Sequence, residues 1–79
     1  MKNNFTNKQG QYLTFIYYYK KLNKRSPAFL DFEKYFKTSP AGVNSMIKKL
    51  EEKGFITKEK GKSRSIELLV RKEELPELE

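Results

Sequence analysis

The stretch SPAGVNSMIKKLEEKGFITKEKGKSRSIELLV, residues 39–70, decides the reading of this chain. Ser39-Pro40 predicts a helix start, with serine as the N-cap and proline at the first helical position, where its missing N–H costs nothing. Gly54 predicts the matching stop, because glycine takes up the left-handed turn that ends helices. At about 100° per residue, Val43, Met46, Ile47 and Leu50 fall on one side of the helix between them, and Ala41, Asn44, Ser45 and Lys48 on the other. The first face suits a core. The second is small, polar and basic. Phe55–Lys58 then reads as a strand, Glu59–Ser63 as a turn with Lys60-Gly61-Lys62 at its tip, and Arg64–Val70 as a returning strand. On that strand Ile66, Leu68 and Val70 alternate inward.

Two earlier segments complete the pattern. Thr6-Asn7-Lys8-Gln9 fits a capping box, and Phe5 before it suits a hydrophobic staple. The helix it opens should reach about Asn23, with Tyr12, Leu13, Phe15, Ile16, Tyr19 and Leu22 on one face and Tyr17 and Tyr18 off it. Ser26-Pro27 predicts a second helix to about Phe36, lined by Phe29, Phe32 and Phe36. The recurrence of Ser-Pro-Ala at 26–28 and 39–41 reads as one helix-start chemistry used twice. Lys37-Thr38 leaves only a tight turn before the third helix, the helix-turn-helix arrangement. The fold class expected is mainly α with a small β-hairpin: a winged helix-turn-helix, three helices followed by a two-stranded wing. Residues 1–70 form that domain, and 71–79, with Pro76 and four glutamates, form an acidic and flexible tail.

Composition narrows the function. The chain has 79 residues, no cysteine and no histidine, which removes disulfides, thiolate sites and the usual zinc ligand and general base. Six Phe and five Tyr supply large apolar area to a small core. The net charge of +7 is uneven: residues 1–65 carry 15 basic and 5 acidic side chains, residues 66–79 only 2 basic and 5 acidic. A basic body with an acidic end suits a polyanionic partner. No run approaches the roughly 18 apolar residues of a membrane span, and Met1-Lys2-Asn3-Asn4 opens no signal core. A cytoplasmic protein of a prokaryote or phage is expected. No nucleophile–base pair, phosphate-cradling loop or metal-ligand pattern occurs, so no enzyme activity, cofactor, metal or small-molecule ligand is implied.

At this point the sequence resembles the N-terminal DNA-binding domain of LexA-type repressors. The matching pieces are Phe5-Thr6-x-Lys8-Gln9, Phe15-Ile16-x-x-Tyr19, Ser26-Pro27, Ser39-Pro40, Leu50-Glu51-x-Lys53-Gly54-x-Ile56 and Gly61-x-Ser63-Arg64-x-Ile66-x-Leu68. The segment from the third helix to the wing is also similar to MarR-type regulators. The chain departs from the first family at Glu33, where alanine is usual, and at Lys37, where glycine is usual. LexA-type repressors continue into a self-cleaving peptidase domain. This sequence has no counterpart of it, so no serine–lysine dyad is assigned and control by self-cleavage is not expected. Ala41-Gly42 matches the family's cleavage dipeptide in letters only.

The resemblance implies a sequence-specific binder of double-stranded DNA, a transcriptional regulator of repressor type; a single copy offers few base contacts, so a homodimer on a two-fold DNA site is expected. Ala41, Gly42, Asn44, Ser45 and Lys48 are the candidates to read bases, Asn44 because an amide pairs with the N6/N7 edge of adenine. Ser39, Lys24, Arg25, Lys37, Lys60, Lys62 and Arg64 are the candidates to hold the backbone. The bland alternatives are a solvated helix face and a solubilising loop. Alternation places Arg64 with Ile66, so the hairpin's inner edge is a second reading for it. Asp31, Glu33, Glu51 and Glu52 read as solvated. The rival function is a protein-interaction module on the same scaffold, with Tyr17, Tyr18 and the tail as its surface.

Overall fold

A computed structural model describes residues 5–79, so the N-terminal Met1-Lys2-Asn3-Asn4 lies outside the described residues. The order is α1 (Asn7–Asn23), α2 (Phe29–Phe36), α3 (Pro40–Glu52), β1 (Ile56–Thr57), β2 (Glu67–Leu68) and a 3-10 turn at Lys72–Glu74. The strands pair antiparallel, Ile56 with Leu68 and Thr57 with Glu67. The expected fold class, a winged helix, is the one observed, with much shorter strands than the sequence suggested.

Both ends of α1 follow from local chemistry. The Thr6 hydroxyl accepts from the Gln9 N–H at 3.2 Å, and the Gln9 side chain accepts from the Thr6 N–H at 2.9 Å. Lys24 ends the helix in the left-handed conformation, at φ 62°. Phe5 packs over Gly10, which offers no side chain to staple, and meets Phe55 edge-on at 5.7 Å. Tyr12, Leu13, Phe15 and Ile16 are buried, as their spacing predicts. Leu22 is not: it is 78% exposed. In the same last turn of α1 Lys20 reaches the wing through Glu67 at 2.7 Å.

The start of α2 differs from expectation. Ser26 does not cap it. Its hydroxyl is buried and donates to the Ile66 carbonyl at 2.6 Å. The helix starts at Phe29, and the Asp31 carboxylate accepts from the Ala28 N–H at 2.7 Å. Asp31 supplies a carboxylate in the first turn, where the helix dipole favours it. Phe32 is fully buried at the centre of the core, with Tyr12 stacked on it at 5.3 Å and Phe15 tilted against it at 5.1 Å. Tyr12 also stacks on Phe36 at 4.3 Å. Burial raises the pKa of the Tyr12 hydroxyl above its ordinary value.

Helix α3 matches its sequence reading. Ser39 accepts from the Gly42 N–H at 3.1 Å. Val43, Ile47 and Leu50 are buried, and Gly54 closes the helix at φ 79°. The Phe55 N–H bonds to the Leu50 carbonyl at 3.0 Å, and Leu69 N–H to the Phe55 carbonyl at 2.9 Å. The wing therefore grows directly out of the helix's end, with Phe55, Ile56 and Ile66 in the core.

The tail also departs from expectation. Residues 71–79, read as flexible, lie along α1, with Leu75 and Leu78 packed against the core. That covering explains why Gly10, Gln11 and Thr14, off the apolar stripe, are buried.

Candidate nucleic-acid interface

On α3 the division into two faces is physical. Val43, Ile47 and Leu50 dock the helix, while Ala41, Asn44, Ser45 and Lys48 are exposed. The Asn44 amide donates to the Pro40 carbonyl at 3.1 Å, one turn back. That bond is local and exposed, so breaking it to pair with another acceptor costs little net free energy. Gly42 is placed differently from the others. A Cβ on it would stand 2.6 Å from the Thr38 hydroxyl. Its small size serves the close approach of the α2–α3 turn to the first turn of α3, a role the sequence reading had given to a ligand.

Among the expected backbone contacts, Ser39 is exposed at the start of α3 with its hydroxyl in the cap. Lys24, Arg25 and Lys37 are exposed at the turns flanking α2. Lys37 has φ 53°, the region glycine favours. This is the position where the LexA-type pattern has glycine, and the turn keeps the conformation without it. Lys60 and Lys62 are exposed at the wing tip. Lys62 lies 3.3 Å from Glu59 in an exposed pair of little energetic weight. The tip is tied by Ser65, whose hydroxyl accepts from the Glu59 N–H at 3.0 Å and donates to the Lys62 carbonyl at 2.9 Å.

Arg64 turns inward. At φ 54° its backbone is left-handed, and its Nη1 meets the Tyr19 hydroxyl at 3.1 Å, the Ser26 carbonyl at 3.1 Å and Asp31 Oδ2 at 3.2 Å. The Tyr19 hydrogen bond first, then the charges of Tyr19 and Asp31, hold its pKa above the ordinary guanidinium value. The residue expected on DNA thus joins the wing to α1 and to the start of α2, as its alternation with Ile66 allowed. Asp31, read as solvated, is the acidic partner. Sequence reasoning missed Tyr19, Ser26 and Asp31 as one cluster. The available signal was an acid three residues after Ala28, opposite a basic residue on the inward register of the wing.

The described residues contain no helix long and apolar enough to cross a membrane and no cluster of three or more potential metal ligands. Helix-turn-helix, capped third helix and basic hairpin together define a winged helix-turn-helix protein. The model of the MarR family matches residues 5–63, most of the chain, and the chain belongs to that family. It is also similar to the LexA repressor of Thermosipho africanus (strain TCF52B), 43% identical over 68 residues, covering 86% of this chain and 34% of the repressor. The LexA repressor of Thermosipho melanesiensis (strain DSM 12029 / CIP 104789 / BI429) is 41% identical over 70 residues, covering 89% of this chain and 35% of that protein. The chain spans about a third of the length of these curated relatives. Membership and similarity together support a DNA-binding transcriptional regulator.

Proposed function

We propose that this chain represses transcription by reading double-stranded DNA with α3 in the major groove. The observation that carries the reading is the exposed face of Ala41, Asn44, Ser45 and Lys48 on a helix pinned from behind by Val43, Ile47 and Leu50. A helix so anchored presents a rigid edge of donors, a small apolar surface and one cation, the set that distinguishes base pairs in the major groove. Lys24, Arg25, Lys37, Lys60 and Lys62 hold phosphates on either side, and Ser39 adds a contact at the start of α3. Five exposed base-face and cap residues give a single copy few base contacts. Useful discrimination then calls for two copies on a two-fold site.

The test is selection of bound duplexes from a random pool, using the full chain. The expected result is one enriched motif, repeated with two-fold symmetry at a spacing set by the helical turn. Binding without enrichment of any sequence would overturn base reading by α3. An enriched single half-site would overturn the pairing of copies while leaving the reading intact.

A further inference from the structure

The segment after the wing is held by hydrogen bonds from side chains of α1 and α2 to its main chain. Thr14 Oγ1 donates to the Pro76 carbonyl at 2.8 Å. Gln11 Nε2 donates to the Glu77 carbonyl at 2.9 Å, and Gln11 Oε1 accepts from the Glu79 N–H at 2.8 Å. The Tyr35 hydroxyl donates to a Glu79 main-chain oxygen at 2.9 Å. All of these bonds reach main-chain atoms of the strand. One side-chain amide reading a carbonyl and an N–H two residues apart is how a neighbouring strand would read an extended peptide. Selection by side chain rests on apolar shape alone. Leu75 and Leu78 pack on the core, and Pro76 and Phe5 both lie over Gly10, where a Cβ would stand 2.9 Å from the proline Cγ and 3.1 Å from the Phe5 ring. Glu77 and Glu79 point to solvent.

We propose that α1 and the end of α2 form a peptide-binding site for an extended Leu-Pro-x-Leu strand, whose resident ligand is this chain's own Leu75–Glu79. Gln11, Thr14 and Tyr35 read the main chain, and Gly10 is the slot for the proline. Gly10, Gln11 and Thr14 lie off the apolar stripe of α1, and the strand touches the core through Leu75 and Leu78. The tether keeps the strand at an effective concentration of millimolar order, which a strand supplied from outside must match. None of its residues belongs to the exposed face of α3.

The test uses the full chain. Replacing Leu75 and Leu78 by serine weakens the resident strand and leaves the receptor intact. A synthetic peptide of residues 71–79 is then titrated in by NMR. Saturable shifts at Gly10, Gln11, Thr14 and Tyr35 are expected, and none when the same protein also carries Gly10→Ala, which fills the proline slot. Absence of saturable shifts, or equal shifts with the slot filled, overturns the proposal. Should the serine variant fold poorly, Gly10→Ala alone decides, since alanine is the better helix former. Exchange of the Glu79 amide should then speed up about tenfold, the worth of the lost hydrogen bond, with the Leu13, Ile16 and Ile47 amides unchanged. A Glu79 amide as protected as in the wild type would sink the idea. The same readout in a Gln11→Ala chain should agree.

Discussion

Arg64→Gly separates two ways in which a wing arginine can support DNA binding. Glycine keeps the left-handed backbone that Arg64 adopts at φ 54° and removes only the guanidinium. With it go the contacts to Tyr19, Ser26 and Asp31 that fix the wing. If Arg64 positions the wing, its loss releases the two tip lysines, Lys60 and Lys62, from their phosphates together. Each phosphate neutralised contributes about 0.9 to the slope of log affinity against log salt. The slope should therefore fall by up to about 1.8, and between 50 and 200 mM salt the wild type should lose about 12-fold more affinity than the variant. Lys62→Ala alone should lower the slope by about 0.9, roughly a 3.5-fold difference over the same range. Placed on top of Arg64→Gly it should add almost nothing, because its phosphate is already lost. Fluorescence anisotropy with a labelled duplex at four salt concentrations measures all four corners of this cycle. Urea unfolding confirms that each variant is folded at the assay temperature. If Arg64 instead contacts a phosphate directly, it lowers the slope by about 0.9 and Lys62→Ala adds its full share. That additive result would refute the positioning argument.

Three further outcomes are expected. Asn44→Ala should relax preference at one base pair by about 1–3 kcal/mol, read by competition between the selected duplex and single-base variants, while affinity for random duplex stays the same. Ser26→Ala strips the buried Ile66 carbonyl of its donor and should destabilise the fold by about 1–3 kcal/mol, whereas Ser39→Ala removes an exposed cap worth about 1 kcal/mol. Urea midpoints in the opposite order would show that the two serines have been assigned the wrong roles. Lys37→Gly should stabilise, since a left-handed residue with a side chain costs about 1–2 kcal/mol and glycine gives part of that back as unfolded-state entropy. A rise in Tm of a few degrees is expected, and an unchanged or lower Tm would show that the turn is unstrained.

The two Ser-Pro-Ala segments mark where sequence reasoning succeeds and where it stops. At 39–41 the tripeptide opens a helix by local chemistry alone: Ser39 caps Gly42 and proline takes the first position. The capping box of α1, the two faces of α3 and the stop at Gly54 are equally local, and all were legible. At 26–28 the same letters bury a serine whose partner, Ile66, lies forty residues away. No local rule separates the two cases. The difference is made by the wing folding back over the start of α2. The same holds for Arg64 and Asp31, whose pairing depends on that fold-back, and for Leu22, whose apolar spacing is right but whose side chain is left exposed.

The tail was misjudged for a related reason. Its composition, four glutamates and a proline, is that of a disordered end, and composition counts side chains. The hydrogen bonds that seat residues 76–79 use main-chain atoms, which every sequence carries, and their partners Gln11 and Thr14 look like surface residues of α1. What the sequence did contain was a pair of leucines bracketing Pro76-Glu77, and a glycine on α1 at a position where a side chain would collide with that proline and with Phe5. A glycine in the interior of a helix costs about 1 kcal/mol relative to alanine. Its presence at position 10, on a turn whose caps are otherwise well chosen, is intelligible once something has to lie against it.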